Sequence, residues 1–232
     1  MLDRRTRLLR SLDALSVGDA LGQCFHRRDP ATLGDLLRRQ PPEGPWRWTD
    51  DTAMATGIVD ELLAHGTVDE VRLAERFRVA FDPSRGYGPS MRTLLEAATD
   101  GADVVHRAAA YFEGQGSMGN GAVMRVAPLG AWFATEPDRI RDEARRSARA
   151  THAHDEASAG AIAIAHGAAA FARGESASAV LDHVLLETPD SLVRERIEMA
   201  RRRSNEPLAK LAKAVHADRD ITCPATVPFA LA

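Results

Sequence analysis

Hydrophobic residues recur along this chain at intervals of three and four positions, the period of α-helices that bury one face. Near the N-terminus, leucines with this spacing predict a first helix: Leu8, Leu12 and Leu15, with Leu9 beside them. Later runs predict helices over 90–98, 102–113, 121–134, 137–150, 155–173, 176–187, 190–203 and 206–217. Glycine and proline fall between these runs, and the sequence lacks alternating β-branched runs. The pattern therefore predicts an all-α fold, a compact multi-helix bundle.

The segment after residue 50 carries signals for the end of one helix and the start of the next. The run TAMATGIVDELLAH is helical in period from Thr52 and ends at Gly66. Thr67-x-x-Glu70 has the pattern of a capping box, which predicts a second helix here. Three residues of that helix are expected to face inward: Val71, Ala74 and Phe77. Because no repeat or low-complexity linker divides the sequence, we expect one domain over residues 1–232.

Composition narrows the classes of function. The 33 acidic and 30 basic residues give a net charge of −3, which provides no electrostatic basis for binding nucleic acid or an anionic membrane. Cys24 and Cys223 have neither a disulfide-framework spacing nor a zinc spacing and suit a reducing compartment. The sequence has no apolar run long enough to cross a bilayer. We therefore expect a cytoplasmic protein with no membrane and no nucleic acid partner.

Two adjacent carboxylates precede the helix predicted from Thr52, in the stretch WRWTDDTAM. Thr49, Asp50 and Asp51 are good residues for a helix start, where a hydroxyl caps the first turn and acids favour the helix dipole. The functional alternative is a site for a hard cation such as Mg²⁺ or Ca²⁺, which prefers oxygen ligands. One segment cannot complete six-fold coordination, so that hypothesis requires acids from elsewhere in the chain.

The stretch EGQGSMGNGAVMR contains G-x-G-x-x-G at Gly114, Gly116 and Gly119. This pattern indicates an NAD-type dinucleotide fold only after a strand, whereas the preceding DVVHRAAAYFE is helical in period. A glycine loop before a helix can still bind phosphate through its backbone N–H groups, and Ser117 and Asn120 add polar side chains. A tight interhelical turn is the alternative.

Two further stretches contain polar residues at unusual places. In THAHDE, His152 and His154 are two positions apart and would not share a helix face, so a single histidine directed at a ligand is favoured over a zinc pair. A capped helix start is the structural alternative. In VGDALGQCFH, Gly18 and Asp19 interrupt a helical run, which indicates either close packing or a nearby ligand.

Taken together, these stretches resemble the ADP-ribosylglycohydrolase family, of the dinitrogenase reductase-activating type. Five motifs occur in the family's order, with TVPFAL at 226–231 resembling a later segment: GDALG at 18–22, PWRWTDDTAMA at 45–55, RGYGPS at 85–90, GQGSMGNGAVMRVAPLG at 114–130 and THAHDEASAGAIAIA at 151–165. The resemblance covers essentially the whole chain. It implies an all-helical fold with a dinuclear Mg²⁺ centre in a cleft, and hydrolysis at the anomeric carbon of ADP-ribose in a modified protein or a small conjugate.

The resemblance also assigns roles to individual residues. Thr49, Asp50 and Asp51 match the family's first metal-ligand cluster, and the two carboxylates are also its catalytic candidates, because an acid accepts a proton during hydrolysis. Residues that match the loop for the diphosphate and distal ribose are Gly116, Ser117, Gly119, Asn120 and Gly121. His152 matches a histidine that lines the ADP-ribose cleft, and Trp48 would help to shape the wall beside the acids.

Two departures from the family pattern affect the expected activity. His26 stands where the family has a glutamate that touches metal or gates the cleft. The family's second metal cluster, of G-D-x-D-T type, follows the TVPFAL-like segment and is absent from residues 1–232; Asp218 and Asp220 precede that segment and do not match it. We therefore expect a domain truncated at its C-terminus, with two Mg²⁺ ions weakly held and hydrolysis impaired.

Two functions from different classes follow from these departures. The first is an ADP-ribosyl hydrolase with reduced activity. The second is a non-catalytic ADP-ribose-binding module that keeps the glycine loop and His152, and whose binding would not depend on metal. An apolar face left uncovered by missing helices would favour a homodimer.

Overall fold

The computed structural model describes residues 2–26, 34–35 and 38–232. Within these ranges the chain forms twelve α-helices and no β-strand, apart from an isolated bridge between Gly119 and Thr222. The all-α prediction is therefore confirmed. Of the helices described, none is both long enough and apolar enough to cross a membrane.

The helices are numbered here in chain order. Their bounds are α1 (Arg4–Phe25), α2 (Asp50–His65), α3 (Glu70–Val79), α4 (Pro89–Ala97), α5 (Gly101–Gly114), α6 (Ala127–Trp132), α7 (Pro137–Arg149), α8 (Asp155–Arg173), α9 (Ala177–Glu187), α10 (Leu192–Arg202), α11 (Leu208–Ala214) and α12 (Cys223–Leu231). Two short 3-10 turns cover Pro83–Arg85 and Asn120–Ala122.

The predicted helix over 121–134 is wrong in extent. The structure has a 3-10 turn at Asn120–Ala122 and a separate short helix, α6, that begins at Ala127. Pro128 is the reason, because it has no N–H to donate to the carbonyl of Met124 and so cannot continue a helix from 121. A proline is tolerated in the first turn of a helix, which is where Pro128 lies in α6.

The predicted capping box at Thr67 is also wrong. Asp69 caps α3, and its Oδ1 accepts a hydrogen bond from the amide of Arg72 at 2.9 Å. The Thr67 hydroxyl instead donates to Glu143 of α7 at 2.8 Å, and the same carboxylate accepts the amide of Val68 at 2.7 Å. The Thr67 hydroxyl, which the local pattern assigned to the cap, therefore binds a buried carboxylate 76 residues away instead.

The inward face of α3 differs by one residue from the prediction. Ala74 and Phe77 are buried as predicted, but Val71 is 44% exposed. Leu73, which is fully buried, occupies the inward position instead. The buried stripe is centred between Leu73 and Phe77, and this leaves Val71 on the far side of the helix.

Helix α8 lies at the centre of the molecule and contacts α6, α7, α9, α10 and α12. Its alanines and glycines allow neighbouring backbones to come close. At the crossing with α6, a Cβ placed on Gly130 would lie 2.8 Å from the carbonyl carbon of Ala165. One continuous hydrophobic core runs from Leu8 of α1 to Val227 of α12.

A histidine pair inside this core makes folding sensitive to acid. His166 is 1% exposed, and its Nδ1 lies 3.2 Å from Nε2 of His183. Burial, and then the charges of His183, Arg141 and Arg173, together lower the pKa of His166 to about 3. Glu187 lies 3.9 Å from its Nε2. The unfolded chain therefore takes up a proton near pH 6.5 that the folded chain does not, so stability is lost as pH falls from about 6.5 toward 3.

We expect the free energy of unfolding to fall by roughly 2 kcal/mol more between pH 7 and pH 5 in the wild type than in His166→Gln. Urea unfolding of both proteins at the two pH values measures the difference. Equal pH dependence in the two proteins would show that His166 takes up its proton in the folded state at about the same pH as in the unfolded state.

Candidate functional site

The start of α2 is tied to α1 by a single carboxylate. Asp19 of α1 accepts hydrogen bonds from the amide and hydroxyl of Thr49 at 2.7 and 2.6 Å. It also accepts the amide and hydroxyl of Thr52 at 3.3 and 2.6 Å. Four donors therefore surround Asp19, and they place Asp50 and Asp51 beside it in the first turn of α2.

Thr49 is the N-cap of α2, which agrees with the interpretation of Thr49-Asp50-Asp51 as a helix start. Its Oγ1 accepts from the amide of Asp51 at 3.4 Å while donating to Asp19. The cap does not account for the charge that follows it, because Asp50 and Asp51 form no ion pair with any residue that the structure describes. Burial, and then the charges of Asp50 and Asp19, together raise the pKa of Asp51 to about 7.

Asp50 has the same environment to a lesser degree. Burial raises its pKa to about 6, the charge of Asp19 adds to the shift, and the positive charge of Arg125 partly offsets it. Two neighbouring carboxylates with raised pKa values and little compensating charge are a feature of functional sites more often than of helix caps. A bound cation would relieve this repulsion.

The acidic cluster opens onto a cavity of about 570 Å³ between α1 and the start of α2. Its lining residues are Gly18, Asp19, Gly22, Gln23, Phe25, His26, Thr49 and Asp51. A Cβ on Gly18 or Gly22 would meet no atom of the described residues within 4 Å, so none of these residues packs closely enough to require glycine there. The described structure leaves open space beside this part of α1, and a ligand near Gly18 and Asp19 stays a prediction.

A second cavity of about 410 Å³ shares Gln23 and Thr49 with the first. Its other lining residues are Arg47, Trp48, Ser84, Arg85 and Gly86. The Arg85 guanidinium lies 3.3 Å from the centre of the Trp48 ring, so the RGYGPS segment packs against the WRWTDD segment. Trp48 thus forms part of a wall next to the acids, where the family resemblance placed it.

The glycine loop at 116–121 packs directly on the THAH segment. Gly116 has a φ of +75°, and a Cβ there would lie 2.7 Å from the amide nitrogen of His154. A Cβ on Gly121 would lie 2.7 Å from Cε1 of His152. Glycine is therefore required at both ends of the loop, at one by conformation and at both by the close approach of neighbouring atoms.

The loop has only part of its hydrogen-bonding capacity occupied. Three of its amides donate to protein atoms: Gly116 to the carbonyl of Tyr111 at 2.9 Å, Gly119 to Ser117 Oγ at 3.1 Å, and Asn120 to the carbonyl of Ile221 at 2.9 Å. The amides of Ser117, Met118 and Gly121 have no acceptor among the residues described. Such a loop can bind an anionic group through these N–H groups.

The two histidines of THAHDE have different surroundings. His152 is 7% exposed, and its Nδ1 lies 2.8 Å from the Thr151 hydroxyl. Burial and then the charge of Arg125 lower the pKa of His152 to about 3, so the ring is neutral. His154 caps α8 by accepting the amide of Glu156 at 3.0 Å. The motif therefore combines a helix cap with a buried imidazole beneath Gly121, and whether His152 contacts a ligand stays a prediction.

Comparison with known proteins places this arrangement in a family. The model of the ADP-ribosylglycohydrolase family matches residues 1–232. The chain belongs to the ADP-ribosylglycohydrolase family. ADP-ribosylhydrolase ARH3 of Bos taurus is 37% identical over 178 residues, which cover 70% of this chain and 48% of ARH3. The human ARH3 is 36% identical, with coverage of 70% and 49%.

Two further relatives extend this comparison. The uncharacterized protein YegU of Escherichia coli is 35% identical over 198 residues, covering 76% of this chain and 57% of YegU. A solved structure titled ADP-ribosylglycohydrolase-related protein complex matches with a TM-score of 0.61 and 25% identity, covering 98% of this chain and 81% of that one. This chain spans about half the length of the ARH3 relatives it matches.

Two residues of this family member receive no functional role from its sequence. Asp19 stands out there only as an interruption of a helix, although an acid beside a glycine within a helical run is a usable signal. Arg125 is fully buried, donates to the carbonyl of Ser147 at 2.7 Å and lies 4.5 Å from the ring centre of Phe77. An arginine inside the apolar run GAVMRVAPLG is the available signal.

The oxygen atoms at the start of α2 could supply part of the ligand set of a metal site. Asp50, Asp51 and Thr49 offer oxygen atoms only, which suits a hard cation. Asp19 is occupied by its four hydrogen bonds, so it adds charge rather than an open ligand position. Over the described part of the chain, no group of three or more His, Cys, Asp and Glu side chains is arranged to hold a metal ion. The residues present thus fit a cation as an incomplete ligand set.

Proposed function

We propose that this ADP-ribosylglycohydrolase hydrolyses the N- or O-glycosidic bond at the anomeric carbon of ADP-ribose conjugates, with Mg²⁺ held by Thr49, Asp50 and Asp51. The observation that carries the proposal is the uncompensated pair of carboxylates beside Asp19, at the 570 Å³ cavity. Family membership and the name of the ARH3 relatives support the reaction class. The substrate is an ADP-ribosylated protein or a small ADP-ribose conjugate.

The side chains of this site suit the charges that hydrolysis develops. In the proposed reaction, water attacks the anomeric carbon and gives up one proton, the bond from that carbon to the leaving group breaks, and the leaving group takes up that proton. The Asp51 carboxylate lines the cavity and can accept the proton of the attacking water. The negative field of Asp19 and Asp50 favours the oxocarbenium-like transition state. Bound Mg²⁺ would supply positive charge that orients the ribose hydroxyls.

The glycine loop is assigned to the diphosphate. The amides of Ser117, Met118 and Gly121 have no protein acceptor among the residues described, and phosphate oxygens are suitable acceptors. His152 supports the loop from beneath through its contact with Gly121. Because binding is assigned to the loop and hydrolysis to the acidic cluster, the second hypothesis is also possible. In it, the loop binds ADP-ribose while the incomplete acidic site does not catalyse.

Calorimetric titration of ADP-ribose into the purified chain, first with Mg²⁺ and then with EDTA, separates the two functions. We expect binding that Mg²⁺ strengthens roughly tenfold, since the cation would neutralise Asp50 and Asp51 near the ribose. We also expect slow release of ADP-ribose from serine-linked and arginine-linked conjugates, because the ligand set is incomplete. Asp50→Asn should remove the Mg²⁺ effect.

Asp138→Asn is the matched control, because Asp138 lies in the first turn of α7 and is exposed. It should leave the Mg²⁺ effect unchanged. Binding that is insensitive to EDTA, without hydrolysis, would support the binding module instead. Absence of ADP-ribose binding in both conditions would contradict both functions.

A further inference from the structure

The segment just before and at the start of α12 holds the glycine loop from the far end of the chain. The amide of Cys223 donates to the carbonyl of Met118 at 2.9 Å. The thiol of Cys223 donates to the carbonyl of Gly119, with Sγ 3.2 Å from that oxygen. In the opposite direction, the amide of Asn120 donates to the carbonyl of Ile221 at 2.9 Å. These three hydrogen bonds, together called the loop clamp, join two segments that are far apart in the sequence.

The loop clamp holds both polar groups of one peptide unit. The carbonyl of Gly119 and the N–H of Asn120 belong to the same planar peptide, and each is bound to the 221–223 segment. A peptide plane that is held at both groups cannot rotate. The Met118 carbonyl on the preceding peptide is bound by the Cys223 amide, so two consecutive peptides are restrained beside the amides of Met118 and Gly121, which lack a protein acceptor in the described structure.

We propose that Cys223 is a positioning residue, whose thiol fixes the Gly119–Asn120 peptide and thereby sets the affinity of the glycine loop for the diphosphate of ADP-ribose. This inference rests on the proposed function, since it concerns the same ligand. It assigns a role to a buried cysteine that belongs to neither the acidic cluster nor the loop itself. The thiol acts through the backbone and does not touch the substrate.

The surroundings of Cys223 suit this role. Cys223 is fully buried. Its Cβ lies so close to α8 that a Cβ added to Gly160 would be 3.0 Å away from it, so there is little space for a side chain larger than cysteine at position 223. Burial raises the pKa of the thiol to about 12, so it remains a protonated donor at neutral pH. Val227, one turn further along α12, is part of the main core and anchors the helix. The clamp is thus attached to a rigid element rather than to a loop.

The turn before α12 is also fixed locally. Asp220 Oδ1 accepts a hydrogen bond from the amide of Thr222 at 2.9 Å, which stabilises a turn immediately before Cys223. Gly119 and Thr222 form the one antiparallel bridge found in the described residues. The segment therefore approaches the loop in a single orientation, and the thiol contributes the third of its hydrogen bonds.

Three variants test the proposal in the full chain. Cys223→Ala removes the donor with a small loss of volume, and Cys223→Ser keeps a donor at the same position. Cys24→Ala is the matched control, because the Cys24 thiol also donates to a backbone carbonyl, that of Ala20 at 3.4 Å, but lies outside the clamp. Each protein is titrated with ADP-ribose in EDTA, so that the loop is measured without metal. Amide hydrogen exchange of Asn120 and the melting temperature are measured in parallel.

We expect Cys223→Ala to weaken ADP-ribose binding roughly five- to tenfold and to speed exchange of the Asn120 amide. Cys223→Ser should stay within about threefold of the wild type, and Cys24→Ala should match it. Equal losses of affinity in the alanine and serine variants, in step with their melting temperatures, would show that Cys223 acts only through packing and would overturn the proposal.

The exchange measurement separates this proposal from the proposed function. If the wild type does not bind ADP-ribose, the proposed function fails and the assignment of this loop to the diphosphate fails with it. In that case, faster Asn120 exchange in Cys223→Ala alone would still show that the thiol orders the peptide. Unchanged Asn120 exchange in Cys223→Ala, with or without binding, contradicts the positioning role.

Discussion

Gly130→Ala is expected to lower the free energy of unfolding by more than about 3 kcal/mol. The added methyl group would lie 2.8 Å from the carbonyl carbon and 2.9 Å from the Cα of Ala165. These are backbone atoms of α8, which contacts five other helices, so neither helix can shift without disturbing the core. The usual gain from replacing glycine in a helix, about 1 kcal/mol, is too small to offset this clash.

Gly167→Ala on α8 is the matched control. Among the described residues, the three atoms nearest to a Cβ there are side-chain atoms of Val184, Leu231 and Val180, all at 3.4 Å or more, which is ordinary van der Waals contact. We expect this variant to be as stable as the wild type or more stable by roughly 0.5–1 kcal/mol. Urea unfolding followed by circular dichroism measures both. Similar stabilities for the two variants would show that α6 can move away from α8 at low cost.

The helices could be predicted from sequence where their signals are local. Gly66 ends α2 in a left-handed conformation with a φ of +68°, as the sequence predicted, because glycine adopts that conformation without strain. Thr67 could not be assigned correctly, because its partner Glu143 lies in α7 and only the fold brings the two together. Pro128 is also a local signal, but the prediction of one helix over 121–134 gave more weight to the hydrophobic period than to this proline.

The candidate site divides in the same way. Asp50, Asp51 and the glycine loop are contiguous motifs, so the amino-acid sequence alone indicates their chemistry. The role of Asp19 depends on four hydrogen bonds across 30 and 33 positions, and that of Cys223 on a carbonyl 104 positions away. Such partners meet only when the helices are packed. Positioning residues are therefore harder to find from sequence than the groups they position.

The acidic cluster has a cost in stability that should be measurable. Asp51→Asn is expected to raise the free energy of unfolding at pH 8 by roughly 1–3 kcal/mol, a range reduced for the partial exposure of the side chain. The pKa of Asp51 is raised to about 7 in the folded protein, above its usual value of 3.8. At pH 8 both states are ionised, so the folded state bears the full cost of burying the Asp51 charge and of its repulsion from Asp50 and Asp19. As pH falls through 7 the folded state takes up the proton first, so this cost disappears between about pH 7 and pH 4, opposite in sign to the effect of His166.

Asp103→Asn is the control with the opposite expectation. Asp103 is also in the first turn of a helix, α5, but hydrogen bonds from the Thr99 amide and then from Arg107 lower its pKa. Its replacement should therefore not stabilise the protein. Urea unfolding of the two variants and the wild type at pH 8, without metal, gives the comparison. If Asp51→Asn is no more stable than the wild type at pH 8, the carboxylate is adequately solvated and the cluster carries no stored repulsion.

The same variant connects this stability to the proposed chemistry. A cation bound by Asp50 and Asp51 offsets their repulsion, so Mg²⁺ should raise the melting temperature of the wild type. Asp51→Asn should start from a higher melting temperature at pH 8 and respond little to Mg²⁺, because one carboxylate ligand is gone. An ordinary helix start gains stability from acids in its first turn. A carboxylate that lowers stability until a cation binds is instead maintained for function, and an equal Mg²⁺ response in both proteins would remove Asp51 from the proposed metal site.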